Sequence, residues 1–141
     1  MDVLVHPDQV ERAAGVLSQL GYKRADDPGR YGIAFINNTA RNPSLIVDLH
    51  RGFPYLTRAS RDLSWKIWTR TRTEAVDGLP VRVLDPADEL IFLCLHMVKH
   101  QFEDILQALD IHMFISKNKS RLDWDVFVRR VRGYRLARRV R

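Results

Sequence analysis

The chain opens on a short run of β-forming positions, Asp2 to Val5, that stops at the His6-Pro7 turn. From Asp8 the apolar spacing changes: Val10, Ala13, Ala14, Leu17 and Leu20 recur in steps of three and four, the period of one helix face. Asp8 is the expected N-cap, Glu11 completes a capping box, and Gly21 is the expected stop. Residues 23–30 read as a polar loop leading to a strand at residues 31–37. The pairs Asn37-Asn38 and Asn42-Pro43 mark turns before a second strand, Leu45–His50. Within it Leu45, Val47 and Leu49 point one way, and Ile46, Asp48 and His50 point the other.

Residues 52–78, which include Trp65, Lys66 and Trp68, read as a short helix or irregular segment, and Val81 to Leu84 as a further strand. Asp85-Pro86 announces a helix: Asp85 caps, Pro86 takes the first helical position, and Asp88 and Glu89 suit its positive end. That helix should run to about Gln101. A second follows at residues 104–116, and a third starts near Asp123-Trp124-Asp125 and continues into the arginine-rich end. The expected class is α+β. A small mixed β-sheet with helices occupies residues 1–84 and a helical region residues 85–141, within a single domain.

Composition narrows the picture. The 141 residues are 45% apolar and 28% charged, which fits a folded globular chain and excludes a fibrous or disordered one. The longest apolar stretch, Leu90 to Leu95, is too short to cross a bilayer, so no membrane partner is expected. The first residues, MDVLVHPDQVERA, lack a basic-then-apolar leader, and Cys94, the only cysteine, has no disulfide partner. A cytoplasmic location is the expectation. Cys94 reads as a small buried hydrophobe without a basic neighbour to activate it. Trp65, Trp68 and Trp124 read as packing residues in the core or between elements.

The net charge of +6 is unevenly placed. The segment RRVRGYRLARRVR, Arg129 to Arg141, holds seven arginines and no acid; taking that +7 from +6 leaves the first 128 residues at −1. The segment suits nucleic-acid phosphates. The plainer reading is a solvated helix face, or an end that packs on further chain.

Two carboxylates stand out because each sits inside a β-type apolar run: Asp2 in Met-Asp-Val-Leu-Val and Asp48 in Ile-Val-Asp-Leu-His. An acid there needs solvent, a partner or a cation. If the two strands lie side by side, both carboxylates fall on one face, where they can share Mg²⁺ or Mn²⁺. Acids on the wet face of a half-exposed strand are the plainer reading. A second group is His96, Lys99 and His100, with the two histidines four apart on one helix face. Met97 follows His96 where a zinc protease needs glutamate, which excludes that class. The group can contact phosphate or a base, or be satisfied within a helical bundle. Asp110 lies in the apolar run Ala-Leu-Asp-Ile-His, where an unpaired buried carboxylate is costly, so His96, Lys99 or His100 is its expected partner.

These motifs in this order resemble a family. Asp-Val-Leu-Val, a helix ending in Leu-Gly-Tyr, Ile-Val-Asp-Leu-His, Leu-Asp-Pro-Ala-Asp-Glu-Leu, Leu-Cys-Leu-His-Met-Val-Lys-His, Leu-Asp-Ile and Leu-Asp-Trp-Asp look like an uncharacterised nucleotidyltransferase family of the DNA polymerase β superfamily. The resemblance runs from Asp2 to about Val128. It implies a site in which an Asp-x-Asp pair on one strand and a third acid on a neighbour bind two Mg²⁺ and an NTP. On that template Asp2 matches the second acid and Asp48 the third, while His96, Lys99, His100 and Asp110 match residues assigned here to nucleotide or phosphate contact.

The departures matter. The first acid of the pair would precede Met1, the Gly-Ser segment that cradles the triphosphate would lie further upstream, and Arg51 stands where the family has Trp. The sequence therefore looks like a shortened, incomplete member. Three expectations follow: metal-dependent nucleotide transfer to an unknown hydroxyl acceptor, weak or absent in this chain alone; a non-catalytic remnant or interaction module; or nucleic-acid binding through Arg129–Arg141.

Overall fold

The computed structural model describes residues 1–25, 32–37, 45–52 and 61–136. By compactness the chain divides into Met1–Phe53 and Pro54–Arg141.

In the first unit, β1 (Asp2–Leu4) leads through a 3₁₀ turn (Pro7–Gln9) into α1 (Val10–Gln19), followed by β2 (Lys23–Arg24), β3 (Gly32–Asn37) and β4 (Leu45–His50). The sheet order is β1-β4-β3-β2, with β4 parallel to β1 and antiparallel to β3. A small mixed sheet is what the pattern predicts. Alternation along β4 sends Val47 and Leu49 into a core with Ile33, Phe35 and Val10, against which Val3, Val5, Ala13, Ala14 and Leu17 pack. Asp48 and His50 take the opposite face.

Two local readings change. Asp8 is not the cap: the helix is entered through the 3₁₀ turn, whose N-cap is His6, its Nδ1 accepting from the Asp8 N–H at 3.4 Å. The proline at position 7 pre-sets φ for that tighter turn and moves the start of the α-helix on to Val10. Lys23–Arg24, expected in a loop, pairs with Phe35 and Ile36 as an edge strand. Gly21 does end α1: its φ of +85° lets the Tyr22 and Gly21 N–H groups close on the carbonyls of Leu17 and Ser18. The Asn38 and Asn42-Pro43 turn readings fall outside the described residues.

In the second unit, α2 (Arg61–Arg70) precedes the hairpin β5 (Arg72–Val76) and β6 (Leu79–Val83), then α3 (Pro86–Lys99), α4 (Ile105–Lys117) and α5 (Trp124–Gly133). The segment read as a short helix or irregular thus holds a helix, α2, and also a strand, β5. Asp77 and Gly78 make the hairpin turn, both at positive φ (51° and 78°), as a two-residue turn requires. Asp85, Asp104 and Asp123 cap the three later helices by accepting from Ala87, Leu106 and Val126 N–H groups.

Ala87, Leu90 and Leu122 form a core joined by Cys94, Ile111, Phe114, Ile115, Val126 and Phe127. Among the described residues one side of α4 is engaged, while Ile105, Leu106, Leu109 and Met113 are exposed, Ile105 by 80%. Trp65 and Trp124, expected to be packed, are 47% and 52% exposed. As expected, α5 runs into the arginine-rich segment, taking in Arg129, Arg130 and Arg132 before it ends at Gly133. Among the described residues no helix is long and apolar enough to cross a membrane.

Candidate functional site

The parallel pairing of β1 with β4 sets Asp2 directly opposite Asp48, Val3 opposite Leu49 and Leu4 opposite His50. The register follows from the core: Val3 and Leu49 must both reach the face under α1, and this fixes the two acids on the other face. The register is held from both ends, because the Asp48 N–H donates to the Met1 carbonyl and the Val5 N–H to the His50 carbonyl. Neighbouring strands lie about 4.8 Å apart, so carboxylates on paired residues can reach a common ion.

The two acids differ in setting. Asp2 is exposed, and its Oδ1 lies 2.7 Å from Nε2 of His50. A carboxylate only accepts, so Nε2 carries the proton and His50 is the donor. His50 is 1% exposed, and its ring lies over Gly32 of β3. A Cβ at Gly32 would come within 3.1 Å of the Leu49 carbonyl and 3.4 Å of His50 Nδ1. Glycine therefore eases the close approach of the imidazole, since a Cβ there would make a tight contact. The Asp48 carboxylate, half-buried, makes no hydrogen bond or ion pair among the described residues.

His50 is the residue that the sequence reading passed over as a site member. The signal was available: in Asp48-Leu49-His50 the acid and the imidazole share one strand face by the period of two. The donor set suits a hard divalent cation, which takes carboxylate oxygens.

The other sequence candidates lie in the second unit. His96 sits in the last turn of α3 and His100 is its C-cap; their rings meet edge-on with centroids 4.7 Å apart, as the four-residue spacing requires. Phe92 stacks on His96 at 6.1 Å. Lys99 is half-buried. Asp110 is not their partner. It is exposed on α4 and makes no hydrogen bond or ion pair among the described residues, because α4 turns that flank to solvent. Burial pushes the Cys94 thiol up, in keeping with an unreactive sulfur.

The deeply buried acid of this unit is Asp88, at 0% exposure. Arg70 grips it with two bonds, Nε to Oδ2 at 2.7 Å and Nη2 to Oδ1 at 3.0 Å. Arg130 Nη1 lies 3.0 Å from Asp88 Oδ2 and also bonds Asp85. Tyr134 accepts from Arg70 at 2.8 Å and donates to Asp88 at 3.3 Å. Burial opposes the Arg70 charge, yet the hydrogen bond and charge of Asp88 outweigh it, and its pKa is raised. Burial, then the charge of Asp88, pushes the Tyr134 hydroxyl up to about 12. Arg130 thus faces inward, which removes it from the arginine surface expected of the C-terminal segment.

Compared with known proteins, residues 1–141 match the model of a family described as an uncharacterised nucleotidyltransferase. No curated protein and no solved structure matches the chain.

Proposed function

The chain belongs to the uncharacterised nucleotidyltransferase family, and on that premise we propose that Asp2 and Asp48 are its metal ligands in nucleotide transfer from an NTP to a hydroxyl acceptor. The observation that carries this reading is the register of β1 on β4. It sets two carboxylates opposite each other on one sheet face, and one of them, Asp48, has no protein partner among the described residues. When bound, Mg²⁺ or Mn²⁺ would supply charge neutralisation at the phosphates.

The chain's own residues do the rest. His50 holds the Asp2 carboxylate in place through Oδ1. The sheet fixes Asp48 at a constant distance from it. His96, Lys99 and His100 retain the assignment of phosphate or base contact, as donors to anionic oxygens. Asp110, an acceptor with no ion pair among the described residues, fits that role poorly.

Calorimetric titration with NTPs tests the reading, with and without Mg²⁺ or Mn²⁺, on this chain and on Asp48→Ala. Binding that needs the cation and weakens at least tenfold in Asp48→Ala is the expected result. Binding of neither metal nor nucleotide would favour a non-catalytic module that kept the fold.

A further inference from the structure

Beyond the acid pair, the second unit holds a concave pocket of about 360 Å³ lined by Lys66, Arg70, Val126, Arg129, Arg130 and Tyr134. We propose that this pocket binds a phosphate dianion carried by a small organic molecule.

Charge is the first argument. Four cations line the pocket, and the carboxylates that meet them, Asp85 and Asp88, compensate two. The two left over are identifiable. Lys66 and Arg129 are exposed, and neither side chain makes a hydrogen bond or ion pair among the described residues. A phosphomonoester carries close to two negative charges at neutral pH. Its charge matches what the pocket leaves uncompensated.

Placement is the second argument. Arg70 and Arg130 lie in the last turns of α2 and α5, where a cation offsets the negative end of a helix. Helix ends therefore explain those two without any ligand. They do not explain Lys66 or Arg129, each of which lies before the last turn. Lys66 and Arg70 are also four apart on α2, a spacing at which like charges repel. An anion between α2 and α5 removes that cost.

The third argument is pre-organisation. Asp88 locks the Arg70 guanidinium through Nε and Nη2, leaving Nη1 without a bond among the described residues. Asp85 and Asp88 lock Arg130 through Nη1 in the same way. Donors held in place beforehand lose little freedom on binding. The size of the pocket, near the lower end for small-molecule sites, admits more than a bare phosphate. Val126 and the Tyr134 ring offer an apolar surface to the rest of the molecule.

The 141-residue chain in EDTA would be titrated by calorimetry with ribose 5-phosphate, inorganic phosphate, ribose and a short RNA. One saturable site is expected, tighter for ribose 5-phosphate than for inorganic phosphate, and with no ribose binding. The exposed pair changed together, Lys66→Met with Arg129→Met, should weaken it at least tenfold while the melting temperature stays put. Asp48→Ala should bind ribose 5-phosphate like the parent chain, so failure of the metal site and failure of this pocket are separable. Absence of saturation, unchanged affinity in the double variant, or binding of RNA alone would overturn the proposal.

Discussion

His50 donates to Asp2 from a place where its ring is confined, against a glycine whose replacement by alanine would crowd the Leu49 carbonyl. A buried donor so held positions the carboxylate rather than touching substrate itself. His50→Ala should therefore weaken cation-dependent NTP binding about tenfold or more, whereas His50→Gln, which keeps a donor, should recover most of it. Calorimetry on the two variants reads the difference; equal losses would mean the imidazole only fills space. Asp48 was legible in the sequence because an acid breaks an apolar alternation. His50 was not singled out, because a histidine at the end of a strand breaks nothing. Asp88 was legible only in part: its place in the first turn of a helix accounts for it locally, and Arg70 and Arg130, which decide its burial, are distant in sequence. Tyr134 carries the matching pH signature. Its proton is held to about pH 12 when folded and released near 10.0 when unfolded. Above pH 10 the unfolded chain thus binds fewer protons, and stability falls as pH rises through that window. The loss is roughly 2–3 kcal/mol at most, and the parent chain's excess fall over Tyr134→Phe, followed by urea unfolding between pH 9 and 12, measures it.

Helix starts were the most legible elements, and one of them shows why a cap signal can mislead. Asp85, read as a cap, and Asp104 and Asp123, read as helix starts, each precede a helix and each accept from a backbone N–H. Asp8 has the same local pattern, but Pro7 draws the chain into a 3₁₀ turn first and hands the cap to His6. Denaturant unfolding should separate the cases: Asp104→Ala costs about 1 kcal/mol, and Asp8→Ala leaves the midpoint unchanged within error. A comparable loss at Asp8 would mean that its carboxylate supports the turn after all. The hairpin was hidden for a different reason. Arg72-Thr73-Glu74-Ala75-Val76 has no apolar alternation, since the strand is secured by its polar ends: Arg72 donates to the Leu84 carbonyl and Glu74 meets Arg121. Only Asp77-Gly78 marks it, through the positive φ that both residues adopt. In α4 the apolar residues outnumber those its neighbours can cover, so its periodicity gave the helix but not which side is buried.

The distribution of charge over the chain suggested a basic C-terminal segment available to phosphates, and the second unit divides that segment by role. Arg132 and Arg135 are exposed, Arg130 is engaged with two buried or half-buried acids, and Tyr134 and Leu136 between them are 4% and 8% exposed. Part of the segment is therefore core. Deleting residues 134–141 to test nucleic-acid binding would strip out Tyr134 with its bonds to Arg70 and Asp88, and Leu136 as well. Losing one buried aromatic costs about 3–5 kcal/mol, so the truncated chain should melt well below the parent and any loss of RNA binding would be uninterpretable. Charge reversal at two of the exposed arginines, Arg132→Glu with Arg135→Glu, leaves that core intact. If these arginines contact a phosphate backbone, the double variant binds RNA more weakly and the slope of log affinity against log salt becomes shallower by about two. An unchanged slope would assign the exposed arginines to solvation, while the inward-facing Arg130 still ties this end of the chain to Asp85 and Asp88.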